Sequence, residues 1–301
     1  MTYHTAVLLH QSLEGLNVKP EGVYVDATFG GGGHSRAILE RLGPNGRLFA
    51  FDQDPDARLN LPNDSRLVLI PQNFRYMKNF LKMYQALSAD GILADLGVSS
   101  HQFDTPEKGF SIRFDASLDM RMNPATGLTA ADVLMTYPEE KLRFVFKTYG
   151  ELELAGKLAR HIVNVRSDRP IRTTAALMEL IRPFMKRGEE HQFAARVFQA
   201  FRIEVNDEIG ALKELLMQSA SVLAPSGRLV VISYHSLEDR LVKNFIRSGK
   251  FEGEAEKDLF GNTKVPFRSI HRKPIRPEQT EIIKNPRSRS AVLRVAERTE
   301  I

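Results

Sequence analysis

Apolar positions along this chain follow two rhythms. In the first hundred residues they gather in short unbroken runs: Val23-Tyr24-Val25, Leu48-Phe49-Ala50-Phe51, Leu67-Val68-Leu69-Ile70 and Ile92-Leu93-Ala94. Runs of this length, rich in β-branched and aromatic residues, read as strands buried on both faces. They predict strands over 23–26, 47–52, 67–70 and 91–95, and three of these close on an acid: Asp26, Asp52 and Asp95. The segment 35–42 reads as a helix, and 74–87 places Phe74, Met77, Phe80, Leu81, Tyr84 and Leu87 at roughly helical spacing. Strands alternating with helices predict an α/β fold with a doubly wound, mostly parallel sheet.

The rhythm then breaks. Residues 105–126 are loop-like, punctuated by Pro106, Gly109 and Pro124. From 129 to about 201 the pattern is helical: Pro138-Glu139-Glu140 opens one helix, 151–165 forms another, and Thr173 caps a third that ends near Lys186-Arg187-Gly188. The α/β rhythm returns with a helix over about 206–223, a turn at Pro225-Ser226-Gly227, a strand over 228–234 and a helix over 238–247. A Gly/Lys/Pro-rich loop over 248–277 precedes a final strand at 291–295. The expected organisation is a sheet domain formed by 1–104 and 206–301, interrupted by a helical domain over 105–205.

Composition narrows the setting. The chain has 301 residues and no cysteine, which excludes disulfides and cysteine-ligated zinc. No apolar run approaches the roughly 18–20 residues of a membrane span, and the first nine residues lack the features of a secretory signal. A cytoplasmic protein with no membrane association is expected. The net charge of +5 is uneven: between Lys264 and Arg298 ten Lys/Arg face three Glu, a balance of +7 that leaves −2 for the remainder. A concentrated basic segment suits a phosphate-backbone partner, or a solvated surface with no partner.

The chemistry centres on Asp26-Ala27-Thr28-Phe29-Gly30-Gly31-Gly32-Gly33-His34-Ser35, a strand end, a glycine turn and a helix start. Three ligand classes compete for such a turn. The dinucleotide fingerprint fails because Ser35 stands at its third glycine, and no lysine follows to make a triphosphate loop. A cationic, phosphate-free ligand such as S-adenosylmethionine remains. Asp52, 19 residues beyond Gly33, can accept hydrogen bonds from both ribose hydroxyls, a role that would equally suit NAD. Carboxylates at three neighbouring strand ends would repel a pyrophosphate and favour ammonium and sulfonium charges; capping of turns is the alternative use for each.

At this point the residues resemble a known family. The glycine segment, Phe51-Asp52-Gln53-Asp54-Pro55, Asp90-Gly91-Ile92-Leu93-Ala94-Asp95-Leu96-Gly97-Val98-Ser99-Ser100-His101-Gln102, Leu118-Asp119-Met120-Arg121-Met122, Val197-Phe198-Gln199-Ala200-Phe201-Arg202-Ile203, Ile232-Ser233-Tyr234-His235-Ser236-Leu237-Glu238-Asp239-Arg240 and Asn285-Pro286-Arg287-Ser288-Arg289-Ser290-Ala291 are similar to motifs of the bacterial 16S ribosomal RNA cytosine-N4 methyltransferases. One segment, His191-Gln192-Phe193-Ala194-Ala195-Arg196, departs from that family's pattern. The resemblance implies a methyltransferase sheet with an inserted helical domain for RNA recognition. It also implies S-adenosylmethionine as donor, and as acceptor a cytidine in the decoding region of 16S rRNA or the small subunit. It places cofactor contacts at Gly32, Gly33, His34, Asp52, Phe74, Asp95 and Gln102.

Methylating an exocyclic amine needs alignment and hydrogen-bond acceptors rather than a covalent enzyme intermediate. Carbonyls of 96–98 with Ser99 or Ser100 are expected to orient the base, and Asp95 could serve either the cofactor or the amine. His235 could contact substrate or simply satisfy its own loop. No spacing of His, Asp or Glu argues for a metal. Phosphate contacts are expected from the basic segment and from Arg160, Arg166, Arg169, Arg172, Lys186 and Arg187. Two other readings stay open: a methyltransferase acting on a small molecule or protein, and a non-catalytic RNA-binding module.

Overall fold

The computed structural model describes residues 6–256 and 263–300. The chain divides into two compact units, one of Met1–Gly97 with Gly210–Ile301 and one of Val98–Ile209.

The first unit is built on a seven-stranded sheet in the order β3-β2-β1-β4-β5-β7-β6. Its strands are β1 (Val23–Asp26), β2 (Arg47–Phe51), β3 (Leu67–Ile70), β4 (Ala89–Asp95), β5 (Leu223–Ser233), β6 (Phe267–Ser269) and β7 (Val292–Arg298). The first five run parallel; β7 is antiparallel to both β5 and β6. The apolar runs are continuous because both faces are covered: Val25, Phe49 and Phe51 pack into one core layer, while Tyr24 and Leu48 enter the other. From β1 the chain winds outward through β2 to β3 and then returns to set β4 on the other side of β1. That reversal opens a crevice beyond the carboxyl ends of β1 and β4.

Several elements differ from the sequence expectation, each for a local reason. Helix α1 (Leu9–Leu16) was not foreseen; Leu8, with φ of 50°, turns the chain into it. Helix α2 (Gly33–Leu39) starts inside the glycine run. The segment expected as one helix over 74–87 is a 3₁₀ turn followed by α3 (Met77–Met83), stopped where Gln85 and Ser88 take positive φ. The turn at Pro225-Ser226-Gly227 lies within β5 as a bulge: β4 advances from Ala89 to Gly91 while β5 advances from Leu223 to Arg228. Strand β6 lies inside the segment expected to be loop, where only Phe267 of its three residues is buried; positions 257–262 of that segment fall outside the described residues.

The second unit is helical: α4 (Ser100–Asp104), α5 (Ala130–Thr136), α6 (Glu139–Thr148), α7 (Ala155–Arg166), α8 (Thr174–Ile181) and α9 (Glu190–Asn206). Its core is its own, with Phe146 and Phe201 meeting edge to face at 5.3 Å. The unit begins at Val98, before the expected 105, because Val98 and Phe103 pack onto this core. Helix α8 stops at Ile181, short of 186–188, where Pro183 permits only a 3₁₀ turn. The expected loop over 105–126 is tied down: Asn206 accepts the Met122 amide and donates to the Met120 carbonyl, each at 2.8 Å. The chain then re-enters the sheet unit along α10 (Glu208–Val222) and completes it with α11 (Ser236–Ser248) and α12 (Gln279–Lys284). No helix among the described residues is long and apolar enough to cross a membrane.

Candidate functional site

The glycine turn is a braced structure. Gly30 and Gly32 hold φ of 50° and 73°, a region L side chains avoid. The Gly30 amide donates to Asp52 Oδ2 at 2.7 Å, the Gly30 carbonyl accepts from Asn60 at 3.3 Å, and the Gly31 carbonyl accepts from Arg36 Nη1 at 2.8 Å. A Cβ on Gly32 would stand 3.0 Å from the Phe29 ring, and one on Gly33 would stand 3.0 Å from Ala6 Cβ. Gly31 is different. It is exposed, has no positive φ, and a Cβ there would meet no protein atom within 4 Å.

Asp52 follows directly on β2 and faces the turn. Its Oδ1 accepts the Asp54 amide at 2.9 Å while Oδ2 holds Gly30. Burial pushes this carboxyl up to about 6, against the pull of the Asp54 and Gly30 amides. Asp95 ends β4, and its own amide donates to Thr28 Oγ1 at 2.7 Å. Its side chain is 23% exposed, with Oδ1 accepting the Tyr234 hydroxyl at 2.7 Å and Oδ2 lying 3.8 Å from His34 Nδ1. Burial pushes it too up to about 6, with His34 and the Tyr234 hydrogen bond opposing. Two carboxylates that resist ionisation therefore stand at the carboxyl ends of β2 and β4.

Asp26 resists ionisation too, but it is not a third group open to a ligand. It is 1% exposed, and it accepts Ser35 Oγ at 2.7 Å and the Thr28 amide at 3.1 Å. Burial raises its pKa, with His34, Ser35 and Thr28 pulling the other way. Ser35, where a dinucleotide turn has its packing glycine, ties α2 to β1 through this bond. His34 also turns inward: its ring is buried, and Nε2 lies 3.1 Å from the Val7 carbonyl. The ring thus reaches the site only by way of Asp95, with its far side on Val7.

The other expected residues scatter. Phe74 begins the 3₁₀ turn after β3, half-buried against the sheet core, next to Asn73, which donates to Gln53 Oε1 at 3.2 Å. Ser99, Ser100 and Gln102 lie in the helical unit. There Ser99 Oγ accepts the Gln102 amide at 3.2 Å and Gln102 Oε1 accepts the Ser99 amide at 3.1 Å, a capping box for α4 in which Ser100 is the first helical residue. His235 is the N-cap of α11: Nδ1 accepts the Glu238 amide at 3.4 Å, and Nε2 lies 3.2 Å from Glu238 Oε1. Its Nδ1 is therefore occupied with starting a helix, while Nε2 is buried without a hydrogen bond among the described residues.

Sequence reasoning missed Tyr234, Thr28, Asn60 and Arg36. Tyr234 carried a signal only once strands were paired: Asp95 aligns with Ile232 on β5, two residues before it.

Not every basic residue is available to a partner. Arg166 Nη1 donates to the carbonyls of Leu134 and Tyr137, Arg169 pairs with Glu179 and Arg160 with Glu139. In the basic segment Arg268 pairs with Glu297, Arg294 with Asp239, and Arg298 donates to the Ala220 carbonyl. Arg272, Lys273, Arg276, Lys284 and Arg289 are exposed and make no ion pair among the described residues, and the same holds for Arg172 in the helical unit.

Comparison with known proteins follows from this geometry. Residues 1–299 match the model of the MraW methylase family. A protein of Parabacteroides distasonis named ribosomal RNA small subunit methyltransferase H is 55% identical over 297 residues, which is 98% of this chain and 97% of that protein. Proteins of the same name from Bacteroides thetaiotaomicron and Flavobacterium johnsoniae are 55% and 56% identical, each over 99% of this chain and 98% of its own length.

Proposed function

This chain belongs to the MraW methylase family, and on that premise we propose that it transfers a methyl group from S-adenosylmethionine to the exocyclic N4 amine of a cytidine in the decoding region of 16S ribosomal RNA. The observation that carries the reading is identity of 55% along nearly the full length of a small-subunit rRNA methyltransferase.

The sheet edge fits the cofactor. Asp52 and Asp95 are carboxylates whose ionisation burial opposes, so a ligand bearing ammonium and sulfonium charges gains by relieving them and a pyrophosphate does not. Gly31 leaves an uncrowded mouth beside them. When bound there, S-adenosylmethionine supplies an electrophilic methyl on a positive sulfur.

The chain's own residues do the rest by placement. A carboxylate has about four lone-pair sites; Asp52 spends two on Gly30 and Asp54 and keeps two for the ribose hydroxyls. The Phe74 ring packs on the adenine, and Asp95 receives the ammonium end. Gly32, Gly33 and the His34 backbone line the turn, with Gln102 as a further contact. Carbonyls of residues 96–98 with Ser99 or Ser100 orient the amine so that its lone pair lies in line with the methyl carbon. Ser99 accepts the Gln102 amide and still has its hydroxyl proton to donate. The helical unit and the exposed cations of the basic segment hold the RNA, whose target base is flipped or already unstacked. The expected setting is the cytoplasm, on rRNA or the small ribosomal subunit.

Tritiated S-adenosylmethionine incubated with 30S subunits and with free 16S rRNA, followed by nucleoside analysis, tests the reading. Label in N4-methylcytidine is expected; label in another base or another macromolecule overturns it.

A further inference from the structure

The Asp95 carboxylate is gripped by groups that reach it from separate elements of the sheet unit. Tyr234, the first residue beyond β5, donates its hydroxyl to Oδ1 at 2.7 Å, and His34 of α2 stands 3.8 Å from Oδ2. Tyr234 is itself fixed. Its amide donates to Glu238 Oε2 at 2.8 Å, and Gly97, with φ of 94°, lies close enough that a Cβ there would stand 3.6 Å from the ring. His34 is fixed from its far side by the Val7 carbonyl. A carbonyl only accepts, so Nε2 is the donor there, and Nδ1 is the ring atom that faces Asp95. The carboxylate is thus oriented by one hydroxyl donor on Oδ1 and flanked by one ring nitrogen beside Oδ2.

We propose that Tyr234 is a positioning residue for methyl transfer, its hydroxyl holding the Asp95 carboxylate in the orientation that receives the ammonium end of S-adenosylmethionine. The proposal rests on the methyltransferase reading above. The groups facing Asp95 act in opposite senses: burial raises its pKa, His34 and the Tyr234 hydrogen bond lower it, and the charges of Asp26 on β1 and Glu238 on α11 raise it again. Removing the phenol hydroxyl takes away one of the groups that keep the acid ionised, so binding should fail first on the acid side of neutrality.

The test is calorimetric titration of S-adenosylmethionine into the full-length protein and its Tyr234→Phe variant from pH 5.5 to 8.5. In the variant the acid limb of affinity is expected to move up by roughly one pH unit, a weakening of about fivefold near pH 6 that largely disappears by pH 8.5. In an Asp95→Asn background the acid limb should shrink to the part that Asp52 contributes, and Tyr234→Phe should add little. A pH-independent loss in Tyr234→Phe, persisting undiminished alongside Asp95→Asn, marks a purely structural role and overturns the proposal. Should Tyr234→Phe not fold, the parent protein decides: an affinity flat across that pH range removes Asp95 ionisation, and with it the proposal. Absence of any S-adenosylmethionine binding by the parent protein sinks the methyltransferase reading instead.

Discussion

The Gly30 amide donates to Asp52 Oδ2 at 2.7 Å, so the carboxylate assigned to the ribose is also a strut of the glycine turn. Asp52→Ala removes both functions. It leaves the Gly30 and Asp54 amides without their acceptor and the ribose hydroxyls without theirs. Charge-assisted bonds of this kind contribute about 1.5–3 kcal/mol each, so S-adenosylmethionine affinity should fall on the order of a hundredfold. Calorimetry checks this, and an unchanged Kd would remove Asp52 from the site.

Gly31 and Gly32 are neighbours in one turn with opposite reasons to be glycine. Gly32→Ala puts a side chain at φ of 73° and 3.0 Å from the Phe29 ring, which should cost roughly 1–2 kcal/mol of stability. Gly31→Ala meets nothing within the protein, so stability should stay within about 0.5 kcal/mol. Its methyl instead occupies the mouth, and cofactor affinity should drop. Thermal unfolding and calorimetry on both variants separate the two: a Gly31→Ala protein that binds normally shows that no ligand approaches that backbone.

Asp95 also predicts a trade between stability and function. Its folded-state carboxyl is raised to about 6 from 3.8, so between those values the folded protein holds a proton that the unfolded chain has released. Stability from this group is therefore full at low pH and is lost as pH rises through about 4 to 6. Asp95→Asn removes the burden, its amide oxygen accepting from Tyr234 and its NH₂ facing His34 Nδ1. At pH 7.5 the variant should be more stable than the parent by about 3 kcal/mol and bind S-adenosylmethionine more weakly. Urea midpoints measured at pH 5 and 7.5 check the sign: the advantage should shrink at the lower pH, and a variant equally unstable at both argues for a different role.

The sheet was legible because its central strands are buried on both faces, which writes them into the chain as unbroken apolar runs such as Leu67-Val68-Leu69-Ile70. Short elements left no such trace. Helix α4 has five residues and α12 six, too few to display a period, and two of the three residues in β6 are exposed. At the site, the acids were visible as strand ends, but their orientation was not. Spacing placed His34 and Asp26 beside the glycines; it carried no information that both side chains turn inward, one to Val7 and one to Ser35. The Asp95–Tyr234 bond joins positions 139 residues apart and becomes readable only when β5 is known to lie against β4. Charge counting had the same blind spot, because it could not tell a cation committed to a carbonyl from one facing water.

That last distinction can be measured. Arg272, Lys273 and Arg276 are exposed and unpaired among the described residues, whereas Arg166 holds the Leu134 and Tyr137 carbonyls at 2.9 and 2.6 Å. If the basic segment meets RNA phosphates, replacing the three exposed cations with alanine should leave the unfolding midpoint unchanged and weaken 16S rRNA binding at low salt. Each cation–phosphate pair removed lowers the slope of log affinity against log salt by about 0.7–0.9, so the triple variant should flatten it by roughly 2–3. Arg166→Ala should do the reverse: it strips two carbonyls at the end of α5 of their donor, lowers stability by about 1–3 kcal/mol, and leaves the salt slope as it was. Filter binding across a salt series on these two variants and the parent gives both numbers. A triple variant with the parent's slope would place the RNA on another face of the molecule.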